Sequence, residues 1–354
     1  DGEWLAYSSD RGGGAAIYVV RADGTRLRRL TRGDARDVDP AWSPDGRTIL
    51  FSRVGGSDPG VFRVRVAGGP VRRIVRATEG SSRPAWSRDG RFVAFSARNR
   101  GNDDIYLVNA AATTIKRLTT DGGHDLLPSW SPDGKRIAFA SDRGGSLDVW
   151  VMNADGSKQH ELLPAIDNRQ RAPQWSPDGA WIYNAVLMRG SEGLVRRSLA
   201  WPALEPVADA PGSIGTWSLA RGGLVAYAYS SPSDLPQLYV KSSASAPAKK
   251  TDLNADVLRG KPLGVPQAFT FISNDNRFEV EAFLTPPPGR TEGSKHPLIV
   301  VIHGGPHGFA EGVDRTCADV AIDNADGTEC QHGETLLQPV TCGLRAVVLK
   351  IGGV

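Results

Sequence analysis

Cysteine is missing from the first 316 of the 354 residues, and the three present, Cys317, Cys330 and Cys342, crowd into the last 38. A disulfide-built fold is thereby excluded for the main body. Three cysteines at these spacings also match no zinc-binding pattern. Long apolar runs are missing too. Stretches such as Leu298–Ile302 fall far short of the roughly 20 residues that span a bilayer. Nor does one sign of charge dominate: 42 Lys and Arg face 39 Asp and Glu, for a net charge of +3. Read along the chain the two signs are interleaved, so there is no electrostatic case for nucleic acid or a membrane surface as partner. Nothing points to a cofactor. No signal peptide is visible, but the chain begins inside a repeat, and the compartment stays open, with the cytoplasm ahead of the periplasm.

What is present is ordinary in composition, 40% hydrophobic and 23% charged, and strongly periodic in order. The stretches AWSPDGRTILFS, AWSRDGRFVAFS, SWSPDGKRIAFA and QWSPDGAWIYNA place Trp42, Trp86, Trp130 and Trp175 at intervals of 44, 44 and 45 residues. The opening DGEWLAYSSDRGG fits the same unit from its Asp-Gly onward. A weaker copy, TWSLARGGLVAYAYS, carries Trp217. Within a unit the period is two: Ile137 and Phe139 alternate with small residues, Asp142–Ser146 makes a loop, Val149 and Val151 alternate again, and Ala154–Ser157 supplies a tight turn. With a short strand ahead of each tryptophan, this predicts four antiparallel strands per unit. A period near 44 with that content is the signature of β-propeller blades. The fold class expected is all-β, with blades starting near residues 40, 84, 128, 173 and 215 and an incomplete one over 1–31.

The repeated residues invite a functional reading, and the structural reading is stronger. Asp45, Asp89, Asp133 and Asp178 each precede a glycine (Gly46, Gly90, Gly134, Gly179) in a turn, where Asp bonds the backbone locally. They are not a ring of catalytic or metal-binding carboxylates. The tryptophans recur in every blade and are expected to pack between blades. His124 and His160 are assigned no role. The segment DNADGTE hints at a calcium loop but fails, because setting Gly327 at the sixth position leaves Ile322 and Gly333 where ligands are required.

The pattern WSPDG…IAF.SDRGG…NADGS resembles the WD40-like repeat of TolB-type propellers. The same repeat builds the propeller of the prolyl oligopeptidase family of serine peptidases, above all its acylaminoacyl-peptidase-like branch. The segments that follow the last repeat favour the peptidases. After LPQLYVKS come QAFTFISNDNRFEVEAFLTPPPG, a strand pair with a turn at Pro286–Pro288, and then KHPLIVVIHGGPHG. The HGGP step at His303–Pro306 resembles the start of the family's α/β-hydrolase domain. The resemblance therefore divides the chain into a propeller over 1–260, the first hydrolase strands over 261–309, and an atypical tail over 310–354, frame-disrupted or disordered.

By resemblance, the loop His303, Gly304, Gly305, Pro306 holds one half of an oxyanion hole. Gly305 supplies the main-chain N–H, while Gly304 and Pro306 shape the turn. Glycines let the backbone approach a developing negative charge without a Cβ in the way. His303 is expected to be structural, since the catalytic histidine of this fold comes last in the chain. The family's nucleophile elbow G-x-S-x-G is missing, and the last serine is Ser294, ahead of the loop. Cys317, Cys330 or Cys342 with His332 as base is a far weaker substitute, for no local signature supports it.

Three readings follow. The first is the propeller and leading hydrolase strands of a serine peptidase of short peptides, C-terminally truncated and inactive as it stands. The second is a TolB-like propeller that binds a protein partner, and the third an esterase with a propeller attached. An incomplete first blade also predicts self-association through an open edge.

Overall fold

A computed structural model of the chain describes residues 3–76, 82–99, 101–162, 170–188, 191–200, 204–220, 222–242, 245–253, 255–273, 276–277, 279–291, 296, 298–302, 320–323 and 345–350. The chain falls into two compact units, one of residues 1–186, 194–207 and 221–223, the other of 187–193, 208–220 and 224–354.

The first unit is a series of small antiparallel sheets in chain order. Blade 1 has three strands, β1 (Trp4–Ser9), β2 (Ala16–Arg21) and β3 (Arg28–Arg29). Blade 2 has four, β4 (Arg36–Trp42), β5 (Thr48–Val54), β6 (Gly60–Arg65) and β7 (Arg72–Arg76). Blade 3 comprises β8 (Ser82–Trp86), β9 (Phe92–Asn99), β10 (Asn102–Asn109) and β11 (Ile115–Arg117). Blade 4 comprises β12 (Asp125–Trp130), β13 (Arg136–Ser141), β14 (Asp148–Asn153) and β15 (His160–Glu161). In the fifth, β16 (Gln170–Trp175), β17 (Trp181–Met188), β18 (Ser191–Ser198) and β19 (Leu204–Ala208) pair in succession. The architecture is the β-propeller that the period predicts.

The innermost strands start at residues 36, 82, 125, 170 and 213, two to four residues before the expected positions. The cause is a bulge. The ladder slips between Val38 and Ala41, between Ser82 and Ala85, and between Leu126 and Ser129. There Asp39, Arg83 and Leu127 take left-handed φ values of 54°, 45° and 59°, each directly before Pro40, Pro84 or Pro128. Proline has no N–H for the ladder, and a bulge lets the strand pass it and continue upstream.

Each blade buries both faces against its neighbours, so burial does not alternate where side-chain size does. Ile137, Ala138, Phe139 and Ala140 are all fully buried. The clusters alternate with the sheets: Ile17, Val19, Ile49 and Phe51 fill the space between blades 1 and 2, and Leu50, Val93 and Phe95 that between blades 2 and 3. Ala94, Ile105, Ile137 and Phe139 do the same between blades 3 and 4. Each such large side chain contributes about 1.5–3 kcal/mol.

In the second unit β20 (Ser213–Leu219), β21 (Val225–Ser231), β22 (Asp234–Lys241) and β23 (Ala248–Lys249) form a sixth four-stranded blade. The last blade thus runs one strand beyond LPQLYVKS. Tyr227, Tyr229 and Tyr239 pack as a ring cluster with centroids 5.5–6.5 Å apart. A single helical turn, α1 (Ala255–Leu258), leads to a mixed sheet of β24 (Gln267–Ile272), β25 (Glu279–Thr285), β26 (Leu298–Ile302), β27 (Val320–Asp323) and β28 (Arg345–Lys350). Its order is β24-β25-β28-β26-β27.

Candidate functional site

The strand that leads to HGGP is the third of the mixed sheet in chain order. β26 lies beside β28 in parallel register, Leu298 opposite Arg345 through Ile302 opposite Leu349. The hairpin of β24 and β25 continues the sheet on the far side of β28, antiparallel to it. Arg345–Lys350 thus supplies the middle strand of the sheet. β26 and β28 end on the same side, and in open sheets ligands bind beyond the carboxyl ends of parallel strands. In hydrolases the loop after the third strand gives one oxyanion-hole N–H. His303, Gly304, Gly305 and Pro306, which follow β26 directly in sequence, lie outside the described residues. So do Cys317, Cys330, Cys342 and His332.

The repeated Trp, Asp and Gly residues occupy one geometry four times. Ser43, Ser87, Ser131 and Ser176 donate their hydroxyls to Asp45, Asp89, Asp133 and Asp178 at 2.5–2.6 Å. The same carboxylate oxygens accept the amides of Arg47, Arg91, Lys135 and Ala180 at 3.0–3.1 Å. Each serine oxygen in turn accepts a main-chain N–H five residues on, at 2.9 Å. The hydroxyl bond, then the amide, holds every one of these carboxyls below the usual range. Gly46, Gly90, Gly134 and Gly179 close the turns at φ of +69° to +72°, where a side chain is disfavoured. Each carboxylate is thus engaged within its own turn.

The tryptophans sit opposite equivalent partners, Trp42 across from Ile49, Trp86 from Val93, Trp130 from Ile137 and Trp175 from Ile182. Two of them reach the preceding blade. Trp130 Nε1 donates to Ala85 O at 3.2 Å and Trp175 Nε1 to Ser129 O at 3.1 Å.

The opposite end of the blades carries an ionic network that the sequence reading missed. Arg53 forks onto Asp37 at 2.7 and 2.9 Å, its guanidinium 4.5 Å from the Phe62 ring centre. In blade 4 Arg143 contacts both oxygens of the fully buried Asp125 at 2.8 Å, also reaches Asp121 at 2.7 Å, and stacks over Trp150 at 4.6 Å. Burial raises the Asp125 carboxyl above its ordinary value, and the bonds from Arg143, Ser141 and Thr119 oppose this. Between blades 3 and 4, Asp103 takes His124 Nδ1 at 2.8 Å and Arg98 at 3.2 Å on one oxygen. Arg197 is fully buried, and desolvation lowers it to about 10 against the pull of Asp148 and Glu161. Asp37 and Asp125 both stand five residues before the blade tryptophan, the one regularity that could have disclosed the pairs. Among the described residues no group of three or more His, Cys, Asp or Glu could hold a metal ion.

Blades of four strands, the bulge at each proline and the serine–aspartate turn define a propeller of the TolB repeat type. The chain belongs to the TolB beta propeller domain family, PD40, which matches residues 1–83 and 75–209. A stretch of 44 residues is 46% identical to the Tol-Pal system protein TolB of Geobacter sulfurreducens, covering 12% of this chain and 10% of that protein. Among solved structures, TolB from Acinetobacter baumannii is similar with a TM-score of 0.58 at 20% identity, over 68% of this chain and 61% of that one. The acylaminoacyl peptidase of Pyrococcus horikoshii is similar with a TM-score of 0.68 at 18% identity, over 99% of this chain. A puromycin-hydrolyzing peptidase of Mycobacterium tuberculosis is similar with a TM-score of 0.65 at 16% identity, over 98%. The chain spans 56% and 57% of the lengths of these two peptidases.

Proposed function

We propose that the chain is the propeller and the leading catalytic-domain strands of a serine peptidase of the prolyl oligopeptidase family, acting on short peptides. The observation that carries this is the mixed sheet after the propeller, whose third strand in chain order runs into His303-Gly304-Gly305-Pro306 with a parallel neighbour beside it. Likeness to the peptidases extends over nearly the whole chain, whereas likeness to the Acinetobacter TolB extends over 68% of it. In this reading the loop's N–H groups stabilise the oxyanion of acyl transfer. The intact enzyme would, in the same reading, add a serine nucleophile, a histidine that acts as base and then acid, and an aspartate that orients it.

The test offers acylaminoacyl and free aminoacyl p-nitroanilides and a p-nitrophenyl ester to purified protein, with a fluorophosphonate probe alongside. The 354-residue polypeptide is expected to be inert and unlabelled. Protein translated from the same gene together with its downstream sequence is expected to cleave the amides and take up label on a serine. Failure of both in that longer product would sink the reading. Ester turnover without amide turnover would move it to an esterase, and turnover blocked only by thiol alkylation would point to the cysteines.

A further inference from the structure

Two stretches depart from the interleaving of charge along the chain, and the fold brings them to one groove. Residues 21–36 hold six arginines against two aspartates, and residues 60–76 five against none. These two stretches therefore carry +9, where the whole chain carries +3 and all the rest together −6. They include the outer strands of adjacent blades, β3 and β7. Between them lies an open groove of about 420 Å³, lined by Arg28, Arg29 and Arg32 on one side and by the Gly68-Gly69 turn on the other.

The guanidiniums here are held by neutral groups. Arg28 donates to Val66 O at 2.9 Å and lies over the Trp4 ring at 5.4 Å. Arg29 donates to Thr31 O at 2.8 Å and to Gly12 O at 3.3 Å and lies over Tyr18 at 6.0 Å. Arg32 is exposed and makes no hydrogen bond or ion pair among the described residues. None of the three has a carboxylate within ion-pair distance there, unlike Arg21, Arg53, Arg73, Arg117, Arg143 and Arg196. A guanidinium has five N–H donors, so those left over are fixed in place with no anion to take them.

The plain alternative is that cations on outer strands merely guard an edge against pairing with other chains. Other outer strands either lack cations, as β15 (His-Glu) and β19 (Leu-Glu-Pro-Val-Ala) do, or pair them with carboxylates, as Arg117 of β11 does with Asp104 and Lys249 of β23 with Asp234. Guard residues also extend into water, whereas Arg28 and Arg29 fold back onto carbonyls and rings.

We propose that this groove between blades 1 and 2 binds an extended acidic peptide segment. Its carboxylates would fork onto Arg28, Arg29 and Arg32, and an apolar side chain between them would rest on Leu30 and Val71, which line the same groove. A spread of charge over two blades suits a chain of carboxylates better than one compact anion. A nucleic acid would want exposed rings for its bases, and the nearby rings of Trp4 and Tyr18 already carry arginines.

The test is fluorescence anisotropy with a fluorescein-labelled Glu/Asp peptide of about ten residues holding one leucine, at about 50 mM and about 300 mM salt. Its Gln/Asn counterpart and a single-stranded oligonucleotide of equal charge serve as competitors. Arg32→Glu, at a site with no partner to lose, is expected to weaken binding at least about tenfold at low salt, with unchanged circular dichroism and Tm. Arg29→Gln is expected to weaken it about fivefold, and Arg259→Glu, directly after α1, not at all. Binding should fall at the higher salt. Equal affinity of Arg32→Glu and wild type overturns the proposal, as does equal binding of the neutral peptide, no binding at all, or an oligonucleotide that binds more tightly than the peptide.

Discussion

Replacing Arg143 by methionine removes one guanidinium and keeps most of the stem that packs on Trp150. What remains is the Asp125 carboxylate, fully buried, with only Ser141 and Thr119 to bond it. Breaking one side of a buried pair costs about 3–5 kcal/mol, because the other charge is stranded. The second partner, Asp121, is one-third exposed and adds little. For a unit of this size each kcal/mol is worth roughly 2–4 °C, so the expected loss is roughly 6–20 °C in Tm. The pH dependence identifies the cause. Asp125 is already raised above its ordinary value by burial, so the folded state holds its proton more tightly than the unfolded chain does. Stability from this group is complete below the unfolded value and declines as pH rises through the folded one. Without Arg143 that folded value moves further up, so the deficit of the variant should be smaller at about pH 5 than at about pH 8. Asp125→Asn with Arg143→Met should be more stable than the sum of the single changes by about 1 kcal/mol or more. Thermal unfolding of the three variants at both pH values checks this. A deficit under about 1 kcal/mol, or one identical at both pH values, would refute the reasoning.

Three further outcomes are expected. Asp-to-Asn changes at 45, 89, 133 and 178 should flatten the acid limb of unfolding, since these lowered carboxyls stabilise above the unfolded value and lose that as pH falls through the folded one; an unchanged limb in the fourfold variant would count against it. Gly156→Ala should cost more than Gly46→Ala by chemical denaturation. Both sit at positive φ, worth about 1–2 kcal/mol to a side chain, but only at Gly156 would a Cβ meet a neighbour, Leu118 O at 3.0 Å. The 354-residue polypeptide should self-associate at tens of micromolar, because among the described residues β1 pairs only with β2 in its three-stranded sheet; a monodisperse monomer in light scattering would contradict that.

The blades were legible because their signals are local. Ser131, Asp133 and Gly134 make one turn within a few residues, so the sequence must repeat them wherever the turn repeats. The ionic network was hidden because only half of it keeps its place. Asp37 and Asp125 stand at the same distance from their tryptophans, but Arg53 and Arg143 stand 11 and 13 residues beyond theirs, Arg53 within β5 and Arg143 past the end of β13. The arginine groove was invisible for another reason: Arg28 and Val66 are 38 residues apart and meet only because consecutive blades stack. The sixth blade was blurred because it lacks the Asp-Gly turn. Its Trp217 pairs with Tyr227, ten residues on where Trp42, Trp86, Trp130 and Trp175 pair at seven, and its hairpin closes with Ala220 N–H to Leu224 O.

The parallel pairing of β26 with β28 bears most directly on chemistry. A strand that ends in glycines can present main-chain N–H groups anywhere on a protein surface, where water competes for the charge they would stabilise. Beside a parallel partner, both chains turn away from the sheet on the same side, which is where open sheets build ligand crevices. Donors fixed there face their anion at no reorganisation cost, and losing one such donor from a working site slows it by about 10²–10³. Under the proposed reading, that is the scale of what His303-Gly304-Gly305-Pro306 would contribute. It does not replace the attack itself: a site stripped of its triad but otherwise assembled keeps roughly 10³–10⁴ over water. Under the proposed reading the loop would be one half of a charge-stabilising device, its value depending on a nucleophile delivered to the same crevice.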